Sequence, residues 1–267
     1  MGKRLGQHFL RDAHIRKKIV DSVCSENIKT LIEIGPGHGE LTGLILNHPK
    51  GPKRIIIIEK DARLFTFLRK KFEGNGSIEV VHGNALSLLP EIINSIKGIY
   101  GIFGNIPYYI TGHLFRVIEE LKKRPDFLVF MVQKEVALRA VSLPPKMNML
   151  SATLRLWGNP EILFFVPKGK FSPPPKVDSA VIRVGVEKGR GEKDPHYFSA
   201  TRALFEQPRK TILNNLFVFL ERNGIFLKKD EISKSLALIE INPKKRPQDI
   251  SVSSIKKIAQ MLYNLTQ

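Results

Sequence analysis

Short apolar runs alternate with stretches of helical period through the first two-thirds of the chain. The first ten residues are polar and basic. Asp12 to Cys24 then repeats with helical spacing, with Ile15, Ile19, Val20 and Val23 on one face. Strands are predicted at Leu31–Ile34, Arg54–Ile58, Ile78–His82, Tyr100–Phe103 and Phe127–Val132. Helices are predicted between and after them, at Leu41–Leu46, Ala62–Phe72, Ser87–Ile96, Thr111–Leu121 and Lys134–Val141. The run Ile55 to Ile58 has no polar face, as a strand covered on both sides requires. Five consecutive βα units predict an α/β fold with a parallel sheet between two helical layers. Two further strands, Ile162–Val166 and Ser179–Val184, flank a proline cluster at 173–175 and are expected to close the sheet as a hairpin.

The pattern changes after that. Residues 186–195 are Gly-rich and charged, which reads as a linker. Only helical periods follow, at Tyr197–Phe205, Lys210–Arg222, Lys229–Ala237 and Val252–Asn264. The expected organisation is a seven-stranded α/β domain over residues 1–185, the linker, and a small all-α domain over 196–267.

Composition adds one strong feature. The 267 residues carry 43 Lys and Arg against 25 Asp and Glu, a net charge of +18. A field of that sign attracts polyanions, RNA above all. The part before residue 186 and the part after it are both basic, so an RNA footprint is expected on each. Cys24 is the only cysteine, which excludes an internal disulfide and fits a reducing cytoplasm. No apolar run reaches the roughly 18 residues of a membrane span, and the N-terminus has no signal-peptide core. A cytoplasmic monomer without membrane contact is expected. The seven His residues show no metal-ligand spacing, so no metal is expected.

The candidate chemistry sits at the strand ends. The first strand runs into Glu33-Ile34-Gly35-Pro36-Gly37-His38-Gly39-Glu40. Glycines there let the backbone approach a ligand, but the spacing is not the dinucleotide fingerprint. Glu33 would repel a pyrophosphate, and Pro36 offers no N–H. Both suit a cofactor with a cationic sulfonium and an amino acid moiety, S-adenosyl-L-methionine. Glu59, at the end of the second strand, is placed to accept the ribose hydroxyls. Asn84, after the third strand, is expected to accept a hydrogen bond from the adenine amino group of the cofactor. Gly35 and Gly37 complete the predicted cofactor contacts in this loop.

The fourth strand ends in Gly104-Asn105-Ile106-Pro107-Tyr108-Tyr109. The exocyclic amine of a base is a poor nucleophile because its lone pair is delocalised into the ring. Two acceptors holding its N–H bonds can aim the lone pair at a sulfonium methyl. The Asn105 side chain and the Ile106 carbonyl are the candidates, with Pro107 fixing the turn and Tyr108 giving the base a stacking face. Phe171, beside the proline cluster, is the candidate for the opposite face; the alternative is that it is a core residue. Positioning supplies most of the catalysis in such a site.

The stretches KRLGQHFLRD, EIGPGHGELT, FGNIPYYIT, VQKEVALR, FSPPPKVDSAVIR and FEQPRKTILNNL resemble, in order and spacing, the small-subunit ribosomal RNA adenine dimethyltransferases. The resemblance implies a seven-stranded Rossmann-like domain that binds S-adenosyl-L-methionine, with a helical RNA-binding domain behind it. It implies N6,N6-dimethylation of two adjacent adenosines near the 3′ end of the small-subunit RNA, late in subunit assembly. The implied partners are the small ribosomal subunit and its RNA. Carried over by motif, cofactor contacts fall on His8, Leu10, Gly35, Glu59, Asn84 and Asn105, and basic residues for RNA on Lys3, Arg4, Arg209 and Lys210. His8 stands where the family often has Asn, and Asn84 where it often has Asp. The second change implies a weaker hold on the cofactor. Two other readings remain open at this point. One is a large-subunit adenine methyltransferase of the macrolide-resistance type, and the other a non-catalytic RNA- or DNA-binding assembly factor on the same fold.

Overall fold

In the structure, a computed structural model, residues 8–25, 28–107, 110–186 and 194–265 are described. Lys3, Arg4, Tyr108 and all but the ends of the expected linker lie outside them.

The aliphatic runs form the centre of the sheet, and Leu31, Ile32 and Ile55 to Ile58 are almost wholly buried. In chain order the first part contains β1 (Phe9–Leu10), α1 (Ala13–Val23), β2 (Thr30–Ile34), α2 (Glu40–Leu46), β3 (Arg54–Glu59) and α3 (Ala62–Lys71). It continues with β4 (Ile78–His82), α4 (Ala85–Ser95), β5 (Tyr100–Asn105), α5 (Thr111–Glu120), β6 (Phe127–Gln133) and α6 (Lys134–Val141). Then come α7 (Met149–Trp157), β7 (Gly158–Val166), β8 (Phe171–Ser172) and β9 (Ser179–Val186). The chain ends in α8 (Pro195–Phe205), α9 (Ile212–Arg222), α10 (Lys229–Leu238) and α11 (Val252–Leu265).

The seven-stranded sheet has the order β4-β3-β2-β5-β6-β9-β7. Strands β2 to β6 run parallel where they pair, and β9 is antiparallel to β6. The two late strands are neighbours at one edge, as the proline-flanked hairpin predicted. The chain adds strands on one side of β2 up to β4, then returns to place β5 on the other side. That reversal opens a crevice at the carboxyl ends of β2 and β5, the place where ligands bind in open α/β sheets.

Several elements differ from expectation. Helix α7 has no counterpart among the predicted helices. Ser151 to Leu154, Leu156 and Trp157 are all buried, so the helix packs on most of its sides. Its start is fixed by a capping box between Asn148 and Ser151. Strands β1 and β8 pair with each other over two residues, too few to leave any period in the sequence. Helix α4 begins at Ala85, ahead of the expected Ser87, because the Asn84 side chain caps it. Helix α9 begins at Ile212, so Lys210 belongs to the preceding loop.

The chain divides into two compact units, 1–137 with 161–186, and 138–160 with 187–267. The first unit ends next to the expected boundary at 185. The segment 138–160, however, groups with the C-terminal helices: the Tyr197 hydroxyl donates to the Ala152 carbonyl at 3.0 Å, and the Met147 N–H to the Gln248 carbonyl at 3.1 Å. The helical unit therefore takes α7 from the middle of the sequence.

Candidate active site

The crevice is a cavity of about 320 Å³ within the first unit. Its floor is the β2 loop. The Gly35 N–H donates to the Ile58 carbonyl at 3.0 Å, which carries the parallel ladder one residue past the end of β2. Gly35, Gly37 and Gly39 have φ of 67°, 61° and 68°, a region that side chains rarely adopt. A Cβ at Gly37 would also lie 3.0 Å from the Phe9 ring, so the loop and the N-terminal strand share one packed surface. Gly104 answers a different need. A Cβ there would lie 2.6 Å from the Ile34 carbonyl oxygen, at the point where β5 passes β2. The sequence reading assigned Gly104 no role, although a glycine inside a buried strand marks close backbone approach.

Three glutamates line the cavity, Glu33, Glu40 and Glu59, and of these Glu33 and Glu59 are buried. Glu33 is 2 % exposed and accepts a 2.7 Å hydrogen bond from the Thr42 hydroxyl. Burial pushes its carboxyl up to about 7, with Thr42 and the Lys71 charge pulling the other way. Glu59 accepts from the Asp61 N–H at 2.9 Å. Burial raises its carboxyl too, against backbone N–H groups of Asp61, Lys60 and Gly37. Lys71, from α3, donates to the His38 carbonyl at 2.7 Å and the Gly39 carbonyl at 3.2 Å, which ties down the far side of the glycine loop. Thr42 and Lys71 had no distinguishing signal in the sequence, because each acts through a contact made only on folding.

The other predicted residues converge on the same space. His8, Leu10, Asn84, Asn105, Ile106, Pro107 and Phe171 all line the cavity. The Asn105 amide nitrogen donates to the His8 carbonyl at 3.2 Å, and His8 Nδ1 is 2.8 Å from the Pro173 carbonyl oxygen. Leu10 pairs in register with Phe171. Phe171 is 5 % exposed and belongs to the core, so the core alternative describes most of this ring, and the part that lines the cavity is small. The Asn84 oxygen, expected to accept from the adenine amino group of the cofactor, also caps α4 by accepting the Leu86 N–H at 3.2 Å, which leaves it a second lone pair.

Arg209 and Lys210 lie elsewhere, exposed on the loop between α8 and α9 of the second unit. Asn215 organises that loop from below. Its buried amide accepts from the Gln207 N–H at 3.2 Å and donates to the carbonyls of Gln207, Lys210 and Thr211 at 3.1–3.4 Å. The N–H groups of Ile212 and Leu213 reach the Lys245 and Pro243 carbonyls at 2.8 and 3.2 Å. That brings the basic run Lys244-Lys245-Arg246 beside the loop, a juxtaposition invisible in the sequence.

The model of the family described as ribosomal RNA adenine dimethylase matches residues 1–262. The chain belongs to the ribosomal RNA adenine dimethylase family. A relative from Dehalococcoides mccartyi named ribosomal RNA small subunit methyltransferase A is 35% identical over 259 residues, 96% of this chain and 86% of the relative. One of the same name from Mycoplasma capricolum is 32% identical, covering 98% of this chain and 97% of the relative. Among solved structures, a dimethyladenosine transferase from Plasmodium falciparum superposes with a TM-score of 0.77 at 22% identity, covering 97% of this chain and 98% of that one. The 23S rRNA methyltransferase ErmE gives 0.70 at 21%, covering 96% and 99%. These two structures share the fold while their names give different products or substrates, so fold alone selects neither.

The protein is an rRNA methyltransferase that uses S-adenosyl-L-methionine, and the cavity fits that cofactor. It offers a buried carboxylate to a cation, a second carboxylate at the end of β3, a glycine loop open to close approach, and apolar walls from Leu10, Ile58 and Ile106. Among the described residues no helix is long and apolar enough to cross a membrane.

Proposed function

We propose that this protein dimethylates the exocyclic N6 of two adjacent adenosines in small-subunit ribosomal RNA, as a cytoplasmic monomer acting late in subunit assembly. The observation that carries the reading is the orientation of Asn105. Its amide nitrogen is held by the His8 carbonyl, which leaves the side-chain oxygen as the atom free to meet a substrate amine in the cavity.

S-adenosyl-L-methionine, when bound, supplies an electrophilic methyl group on a cationic sulfur. The residues of this chain supply position. The Asn105 oxygen and the Ile106 carbonyl hold the two N–H bonds of the target amine and turn its lone pair out of the ring plane. Pro107 fixes the turn, and Tyr108 gives the base its flat face, with the exposed part of Phe171 opposite. After the first transfer one N–H remains, and a single acceptor suffices to aim the nitrogen again. The developing positive charge on nitrogen is relieved by loss of a proton after transfer, so no strong base is needed. Gly35, Gly37, His8 and Leu10 enclose the cofactor, Glu33 balances its cationic end and Glu59 takes its ribose. Lys3, Arg4, Arg209 and Lys210 hold RNA phosphates, joined by the run Lys244-Lys245-Arg246.

Small-subunit RNA is favoured over large-subunit RNA by the names of the relatives above 30% identity, which match over nearly the whole chain. The test is incubation with labelled S-adenosyl-L-methionine and small subunits that lack the modification, followed by nucleoside analysis. Dimethyladenosine in small-subunit RNA, absent with Asn105→Ala, supports the reading. Label confined to large-subunit RNA would move the substrate, and no label in either would leave an RNA-binding assembly factor.

A further inference from the structure

Helix α1 carries three cations in a row, Arg16, Lys17 and Lys18, and only the first is partly buried. Each nitrogen of the Arg16 guanidinium has its own acceptor. Nε donates to the Leu10 carbonyl at 3.0 Å, Nη2 donates to the Arg11 carbonyl at 3.1 Å, and Nη1 lies 3.4 Å from Glu40 Oε2. The first two acceptors belong to the turn between β1 and α1, and the third is on the first residue of α2. A planar fork spans acceptors set in different directions, which the compact ammonium of a lysine does not.

Leu10 and Glu40 both line the cavity, on walls from different parts of the chain, while Arg16 is not among the residues that line it. The N-terminal wall has little structure of its own. Strand β1 pairs with β8 over two residues, extended by one bond from the Arg11 N–H to the Lys170 carbonyl at 2.9 Å. We infer that Arg16 is a positioning residue for S-adenosyl-L-methionine: it ties the N-terminal wall of the cavity to the first turn of α2 and so holds the space ready before the cofactor enters. Without that tie the wall has to be ordered during binding, and the affinity falls accordingly. Arg16 has this role only if the cavity is the cofactor site, the reading proposed above. The Glu40 side chain is 46% exposed, so its ion pair contributes little by itself, and the two carbonyl bonds carry most of the effect.

The experiment is calorimetric titration of S-adenosylhomocysteine into the parent chain, Arg16→Met, Arg16→Lys, Glu40→Ala and the double variant Arg16→Met/Glu40→Ala. Hydrogen exchange of the parent is followed with and without the same ligand. Methionine keeps an unbranched stem and removes the donors. The dissociation constant is expected to rise about tenfold in Arg16→Met and about threefold in Glu40→Ala. The double variant should be no weaker than Arg16→Met, because both changes cut the same tie. Arg16→Lys should recover only part of the loss. With cofactor saturating, kcat should stay within about twofold of the parent, which a general loss of structure would not allow. An affinity unchanged in Arg16→Met would overturn the inference. So would single effects that multiply in the double variant, since Glu40 would then meet the ligand independently of Arg16. In the parent, the ligand is expected to slow exchange at residues 35–40. Binding without protection there would overturn the cavity reading, and the role of Arg16 with it, a failure distinguishable from the others.

Discussion

The cavity of the first unit and the basic loop of the second are both held by hydrogen bonds, but by different parts of the chain. The cavity is framed by the sheet. Gly35 extends the ladder between β2 and β3, and Asn105 is the last residue of β5. The side chains that face the ligand space are carried on strand ends fixed by many backbone bonds. The loop at 207–211 has no ladder beneath it, and one buried amide, Asn215, makes four of its contacts. In the first region a working side chain can be removed without disturbing the scaffold. In the second, the scaffold is itself a side chain, and function and stability should fall together.

The largest effect expected is at Asn105. Asn105→Ala should lower the rate of methyl transfer about a thousandfold, as loss of a positioning acceptor does, while the melting temperature stays within a few degrees. A melting temperature that collapsed along with activity would break the contrast, because the strand end would then depend on its side chain. Next is Asn215→Leu, which strands the loop's N–H and carbonyl groups inside the unit. A loss of about 3 kcal/mol of stability is expected, read by urea denaturation, together with weaker RNA binding. Retained stability would mean that the backbone contacts to Pro243 and Lys245 hold the loop unaided.

Glu33 sharpens the comparison through pH. Its carboxyl is raised to about 7 when folded, so the native state holds the proton more tightly than the unfolded chain does between the ordinary carboxylate value and 7. Stability should therefore fall as pH rises through that window and level off above it. Cofactor binding should run the opposite way, because a cationic ligand favours the ionised carboxylate. Affinity should rise by up to about tenfold per pH unit below 7, then flatten, and Glu33→Gln should abolish both slopes. Calorimetry across pH 5.5 to 8.5 measures this, and a flat profile in the parent protein would remove Glu33 from the cation's surroundings. The smallest effects belong to the exposed cations. Arg209→Ala and Lys210→Ala should each weaken RNA binding a few-fold and reduce the salt slope by about one, with stability unchanged.

Much of the first region was legible in the sequence, for a reason visible in its strands. These parallel strands end at the cavity, so the candidate residues Glu33, Glu59, Asn84 and Asn105 could be placed at or just past a strand end by counting from an apolar run. The residues that support them could not. Thr42 and Lys71 look like ordinary helix positions until α2 and α3 pack against the β2 loop. Helix α7 was missed because it spans only nine residues and passes into β7 at Gly158 with no loop between them. Lys244 to Arg246 join Arg209 and Lys210 only through backbone bonds across more than thirty residues of chain.

The sequence by itself determined the alternation of strands and helices, the sign of the molecular charge and the chemical type of each residue at the strand ends. These are local properties, written in neighbouring positions. The tertiary structure alone decided which way each amide points. Asn105 is turned by the His8 carbonyl and Asn84 by the first turn of its own helix. A side chain with a donor on one arm and an acceptor on the other is turned by whichever partner folding brings to it.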